Sequence, residues 1–119
     1  MTKAKKESPY FIGVDLGGTN MKIGVMNNHG KTVEYLATPT YVERGPDDAM
    51  KRMAAAIHKA VKNAHLTKND IAQVGLGSPG TMDIPGGKLV RPSNLPGWDF
   101  FPIRDRLAEE SGFDVKFVL

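Results

Sequence analysis

Six consecutive residues, Asp15, Leu16, Gly17, Gly18, Thr19 and Asn20, bring together a carboxylate, a glycine pair, a hydroxyl and an amide. Residue types in that order suit an anion of the phosphate kind. Two helix-backed phosphate loops fit poorly. Gly13 and Gly18 have P-loop spacing, but Thr19 and Asn20 stand where a lysine and a hydroxyl residue are needed. The dinucleotide fingerprint requires a helix after its glycines, whereas Met21, Ile23 and Val25 alternate with Lys22, Gly24 and Met26 as a strand does. The remaining possibility is a strand, glycine turn and strand in which missing side chains let backbone N–H groups approach an anion, with the Thr19 hydroxyl as a further donor. A carboxylate beside a phosphate repels it unless a cation intervenes, so Asp15 is expected to face Mg²⁺ or its waters. Gly17 and Gly18 could equally make a plain tight hairpin with ordinary polar flanks. Lys22 could reach a phosphate, although the alternation that buries its neighbours favours a solvated lysine.

Two further segments join strand ends or helix starts to glycine-rich turns. Gly75, Leu76, Gly77, Ser78, Pro79 and Gly80 leave a short apolar run, at a kind of strand end where ligands bind in open α/β sheets. The glycines allow close approach and Pro79 stiffens the turn, and a simple turn remains the alternative. In Asn94, Leu95, Pro96, Gly97 and Trp98 the amide of Asn94 offers a donor and an acceptor together, which discrimination among hydroxyls requires. Trp98, a lone tryptophan before an apolar helix, is expected to cover the core. His29, His58 and His65 have no cysteine or carboxylate at metal-ligand spacing, and Met50 and Met53 recur at core spacing on a helix.

The elements that must position these residues follow from periodicity. Tyr10 to Leu16, Met21 to Met26 and Thr32 to Thr38 read as a three-stranded antiparallel meander ended by Pro39. Pro46 opens a helix through His65, with Asp47 and Asp48 in its first turn and Met50, Met53, Ile57, Val61 and Ala64 facing inward. Ile71 to Leu76 is a strand, and the glycines from Gly75 to Gly87 mark a loop region with short strands near Met82 to Ile84 and Lys88 to Val90. Pro102 opens a second helix ended by Gly112, and Asp114 to Val118 reads as a buried strand. The sum is an α/β layer with a mixed sheet.

Composition bounds the rest. The 119 residues suffice for one domain, expected over 10–119, behind a disordered tail at 1–9. Without cysteine the chain forms no disulfide or thiolate metal site, and no apolar run approaches the length of a membrane span. The basic opening residues lack an apolar signal core after them, which favours the cytoplasm. A net charge of +3, with basic residues mixed among acids, argues against nucleic acid as a partner.

Asp15 to Asn20, with Lys22, resembles the first phosphate motif of the actin and hexokinase superfamily in its sugar-kinase form. Gly75 to Gly80 resembles the segment lining the sugar pocket in the ROK family of bacterial glucokinase-like kinases, and Asn94 to Trp98 resembles the loop before that domain's last helix and strand. With all three motifs in order from Tyr10 to Leu119, the chain resembles the amino-terminal lobe of a ROK sugar kinase. The resemblance implies an actin/hexokinase-like, ribonuclease H-like fold as one lobe of two, with ATP and Mg²⁺ as cofactors. It gives Asp15, Gly17, Gly18, Thr19, Asn20 and Lys22 to the nucleotide, and Gly77, Ser78, Pro79, Gly80 and Asn94 to a hexose. Glucose is favoured over N-acetylglucosamine, mannose, fructose or allose, and ATP over polyphosphate. The family's general base, the aspartate of a Glu-Asn-Asp segment, is expected just after Leu119. A zinc motif and the second lobe also belong beyond it, so the chain alone should not turn over. Homo-oligomers are expected of the full-length protein, and self-association of the chain itself through apolar surface that the missing parts would cover. One rival is a ROK transcriptional repressor, for which nine leading residues are too few to form a DNA-reading module. The other, an actin-like assembly protein, would have no need of the last two loops.

Overall fold

The computed structural model describes residues 8–78 and 80–118. The expected tail at 1–9 therefore lies almost wholly outside the described residues. Three strands open the fold: β1 (Tyr10–Leu16), β2 (Asn20–Met26) and β3 (Thr32–Pro39). Helix α1 (Pro46–Asn63) crosses over to β4 (Ile71–Gly77). A small hairpin of β5 (Met82–Asp83) and β6 (Lys88–Leu89) precedes α2 (Ile103–Ser111) and β7 (Val115–Phe117). The main sheet has the order β3-β2-β1-β4-β7. β1 pairs antiparallel with β2 and parallel with β4, and β4 pairs parallel with β7. This is the anticipated mixed sheet, a meander continued by parallel strands.

Alternation fixes which face is buried. Ile12, Val14 and Leu16 of β1, Met21, Ile23 and Val25 of β2, and Val74 and Leu76 of β4 form one core with Met50, Met53, Ile57, Ala60 and Val61 of α1. Each large side chain in it stabilises the fold by about 1.5–3 kcal/mol relative to exposure. Ala49, Ala54, Ala56 and Ala60, all buried, keep that helix face slim against the sheet. α1 starts as its sequence demands, with Gly45 at φ 88°, Pro46 in the first turn, and Asp47 and Asp48 at the positive end. α2 stops at Gly112, whose left-handed φ of 77° lets its N–H bond Ala108 O at 2.9 Å. Between the helices, Arg106 bridges Asp47 of α1 and Glu109 and Glu110 of α2. The hydrogen bond to Asp47, then that to Glu109, raises the guanidinium pKa above its ordinary value. His58 of α1 reaches Ser111 O at 2.8 Å and lies against the Phe113 ring.

Three expectations shift. α1 ends at Asn63 instead of His65, because His65 turns into the left-handed region at φ 60° and Leu66 N–H folds back to Val61 O. Gly77, expected in a loop after a strand ending at Leu76, belongs to β4, where its pairing with Asp15 of β1 carries the strand one residue further. β7 is shorter than the expected buried strand from Asp114 to Val118, and within it only Val115 is buried, because Lys116 stands beside Gly75 on the sheet face without a helix.

The opposite face of the sheet carries no helix among the described residues. Gly24, Gly13 and Gly75 are neighbours across β2, β1 and β4 and floor a trough of about 650 Å³ walled by Phe11, Met26, Tyr35 and Val118. No helix among the described residues is long and apolar enough to cross a membrane.

Candidate functional site

Parallel strands deliver their carboxyl ends to one edge, and in this sheet that edge gathers the motifs. Leu16 pairs with Met21, and Gly17 N–H donates to Asn20 O at 2.9 Å, so Gly17, Gly18 and Thr19 form the tip of the β1-β2 hairpin. No helix follows the glycines, as the alternation after them predicts. Neither glycine has the positive φ that would itself demand glycine; close contacts do so instead. A Cβ on Gly17 would stand 2.9 Å from Asn20 O, and one on Gly18 would stand 2.8 Å from Asn94 O and 3.1 Å from Asn94 Cβ.

The absence of a side chain at Gly18 thus seats the Asn94 loop directly against the hairpin, two motifs that lie far apart in sequence. Leu95 and Trp98 pin that loop from below, at 0% and 1% exposure, leaving Asn94 exposed above them. Trp98 packs edge-on to Phe101 and directs its indole N–H at Val42 O, 3.4 Å away, which is the core role expected of it. Gly80 takes a left-handed φ of 78°, and a Cβ built on it would stand 3.5 Å from Pro92 Cα, just before the same loop. Gly77 and Ser78 lie at the end of β4, Gly77 beside Asp15 in the ladder. Pro79 lies outside the described residues.

The tip presents open backbone donors beside an exposed carboxylate. Among the described residues, no acceptor meets the N–H of Gly18 or of Thr19. Thr19 and Asn20 are exposed. Asp15 and Lys22 face each other across the hairpin on the side away from the core, both exposed, yet no ion pair joins them. The Asp15 carboxylate is thereby left with its acceptor capacity open. No group of three metal-ligating side chains occurs among the described residues. That donor set fits Mg²⁺, which takes one or two carboxylates and completes its shell with water and phosphate oxygens. The histidines gather no site: His29 and His65 are exposed, and His58 ties α1 to α2.

Sequence reasoning missed Thr40 and Arg52. Thr40, with no exposed surface, donates its hydroxyl to Gly17 O at 2.7 Å and its N–H to Thr19 O at 2.8 Å. Arg52 holds Thr40 O and Pro39 O, each at 2.6 Å, while Asp48 accepts from its Nε at 2.8 Å. Only the four-residue spacing of Asp48 and Arg52 on α1 was visible in the sequence.

Strand order, sheet polarity and this edge define an α/β lobe of the actin/hexokinase kind. The ROK family model matches residues 11–118, and the chain belongs to the ROK family. Among curated relatives, a glucokinase of Thermotoga maritima is 35% identical over 102 residues, covering 86% of this chain and 31% of its own. A glucokinase of Halalkalibacterium halodurans is 32% identical over 106 residues, covering 89% and 32%. The crystal structure of a ROK hexokinase from Thermus thermophilus superposes with a TM-score of 0.80 at 33% identity, over 92% of this chain and 34% of that one. The chain spans about a third of the length of these relatives.

Proposed function

We propose that this chain is the nucleotide-phosphate-binding lobe of an ATP-dependent sugar kinase, with glucose as the favoured acceptor. The observation that carries the reading is the hairpin tip, where two N–H groups lie without partners beside an unpaired carboxylate, with no helix behind them and the Asn94 loop against them. The two glucokinase relatives support glucose as the hexose.

In this reading the N–H groups of Gly18 and Thr19, with the side chains of Thr19 and Asn20, receive the phosphate oxygens of ATP, and Gly17 closes the turn that presents them. Lys22 stands at the rim of the same face. Asp15 would hold Mg²⁺, directly or through bound water, and the ion would supply neutralisation of phosphate charge. Gly77, Ser78, Pro79, Gly80 and Asn94 line the hexose side, with Asn94 reading hydroxyls through its amide. The 6-hydroxyl oxygen of the sugar forms its bond to the γ-phosphorus as the bond to the ADP oxygen breaks. Its proton goes to the aspartate expected just after Leu119. The geometry of β7 supports that position: Val118 N–H donates to Leu76 O, so the chain leaves β7 at the edge occupied by Asp15 and Gly77. Such a kinase works in the cytoplasm, where ATP and free hexose meet.

Thermal-shift measurements on the full-length protein test this directly. ATP with Mg²⁺ and glucose should each raise the melting temperature, since a ligand at a hundred times its Kd stabilises by about 2.7 kcal/mol. Mannose, fructose and N-acetylglucosamine run in parallel rank the acceptor. Stabilisation by no hexose at all, or none by ATP, overturns the kinase reading.

A further inference from the structure

We propose that Thr40 is a positioning residue for the phosphate hairpin, acting through the carbonyls of Gly17 and Thr19 and braced from behind by Arg52. The proposal rests on the reading of that hairpin as a phosphate receptor.

Thr40 follows the last residue of β3 and continues its ladder by one bond, its N–H meeting Thr19 O at 2.8 Å. Its side chain then does something the ladder cannot, crossing the hairpin mouth to donate to Gly17 O at 2.7 Å. One residue therefore captures carbonyls on both sides of Gly18. In a trans peptide the C=O of one residue and the N–H of the next point in opposite directions. Drawing Gly17 O towards Thr40 turns the Gly18 N–H away from it, towards the open side of the tip. Drawing Thr19 O the same way leaves the Gly18–Thr19 peptide spanning two pinned neighbours. The unpartnered N–H groups of Gly18 and Thr19 are thus held in place before any anion arrives.

Thr40 is itself held. Arg52 donates to Thr40 O and Pro39 O, Asp48 aligns the guanidinium, and the Tyr41 ring lies 5.2 Å from its centre. Thr40 is fully buried with its hydroxyl paired, so it is built into the wall behind the hairpin and does not itself face a ligand. This is preorganisation of donors: an unbraced tip would have to order its peptide planes during binding, at the expense of affinity for the phosphate chain.

The test uses the full-length protein with Thr40→Val, which keeps the shape and the backbone N–H but removes the hydroxyl, and Thr40→Ser, which keeps the hydroxyl. AMP-PNP binding is measured by calorimetry, and KM for ATP and for hexose by steady-state kinetics. Thr40→Val should raise the AMP-PNP Kd and the ATP KM about threefold to tenfold, the worth of one hydrogen bond, and leave the hexose KM within twofold. Thr40→Ser should return the nucleotide constants to within about twofold of wild type. Should Thr40→Val fail to fold, Arg52→Gln, which loosens the brace alone, should show the same nucleotide-only effect at about twofold to threefold. Unchanged nucleotide constants in the folded variants, or equal rises for nucleotide and hexose, overturn the proposal while leaving the receptor reading intact. Wild-type protein that binds no AMP-PNP overturns both.

Discussion

Gly18 is the residue where the two halves of the site meet, because its missing side chain is what lets Asn94 rest on the hairpin. Gly18→Ala places a Cβ 2.8 Å from Asn94 O, a backbone atom that cannot swing aside as a side chain would. Overpacking of this kind costs about 1–3 kcal/mol, readable as a lower urea midpoint. Since both loops must shift, the KM values for ATP and for hexose should rise together, unlike the nucleotide-only signature predicted for Thr40→Val. Asp15 acts differently, with its carboxylate standing open beside Lys22 without an ion pair. Asp15→Asn keeps the volume and removes the charge. In the full-length protein it should lower kcat about a hundredfold and move the Mg²⁺ requirement to higher concentration, as a magnesium titration at saturating ATP would record. A kcat unchanged at every magnesium concentration would take Asp15 out of the cation site.

At the scale of elements, the site is an edge where loops converge, and each loop is fixed by an anchor in the core. β1 and β4 run parallel, so Asp15 and Gly77 arrive side by side, while the β1-β2 hairpin overhangs them. The Asn94 loop has no regular backbone partner and depends on Leu95 and Trp98, which seal it to the layer below. Trp98→Ala would open a cavity under the loop and remove the indole N–H bond to Val42 O, which keeps its bond from Gly45 N–H. The cost should be about 3–5 kcal/mol by chemical denaturation. In variants still folded, hexose KM should rise more than ATP KM, because the loop under which the cavity opens carries Asn94. The opposite ordering would detach that loop from the sugar.

At the scale of the whole molecule, one face of the sheet carries no helix among the described residues. Gly24, Gly13 and Gly75 form a floor on which backbone could come close, and Phe11, Tyr35 and Val118 stand around it at 39%, 57% and 50% exposure. Apolar surface of that kind favours association. Prepared by itself, the 119-residue chain should self-associate as its concentration rises, and multi-angle light scattering that shows a strict monomer at high concentration would count against this. On the kinase reading proposed above, which assigns the general base and the second wall of the cleft to the rest of the full-length protein, it should also fail to phosphorylate glucose at a normal rate, since a positioned base contributes about 10²–10⁴-fold.

Much of this was legible from residue order alone, for reasons of periodicity and local sterics. Two-residue alternation in β2 marked its core face, and the strand after Gly18 excluded the helix-backed phosphate loops. Pro46 and Gly112 bounded the helices because a fixed φ and a left-handed φ are properties of those residues themselves. Trp98 read as core by its size. The sequence also supplied the three glycine-rich motifs, but not the reason their glycines are there. Gly17 and Gly18 need their missing side chains because of Asn20 O and Asn94 O, contacts that only the folded chain creates. Thr40 reads as an unremarkable residue after a proline, and nothing local says that its hydroxyl will cross to Gly17, 23 positions away. Which residues form elements was decided by interactions along the chain. Which of them meet at the carboxyl edge of the sheet, and which groups are left there without partners, was decided by strand order and register, which arise only when distant segments pack.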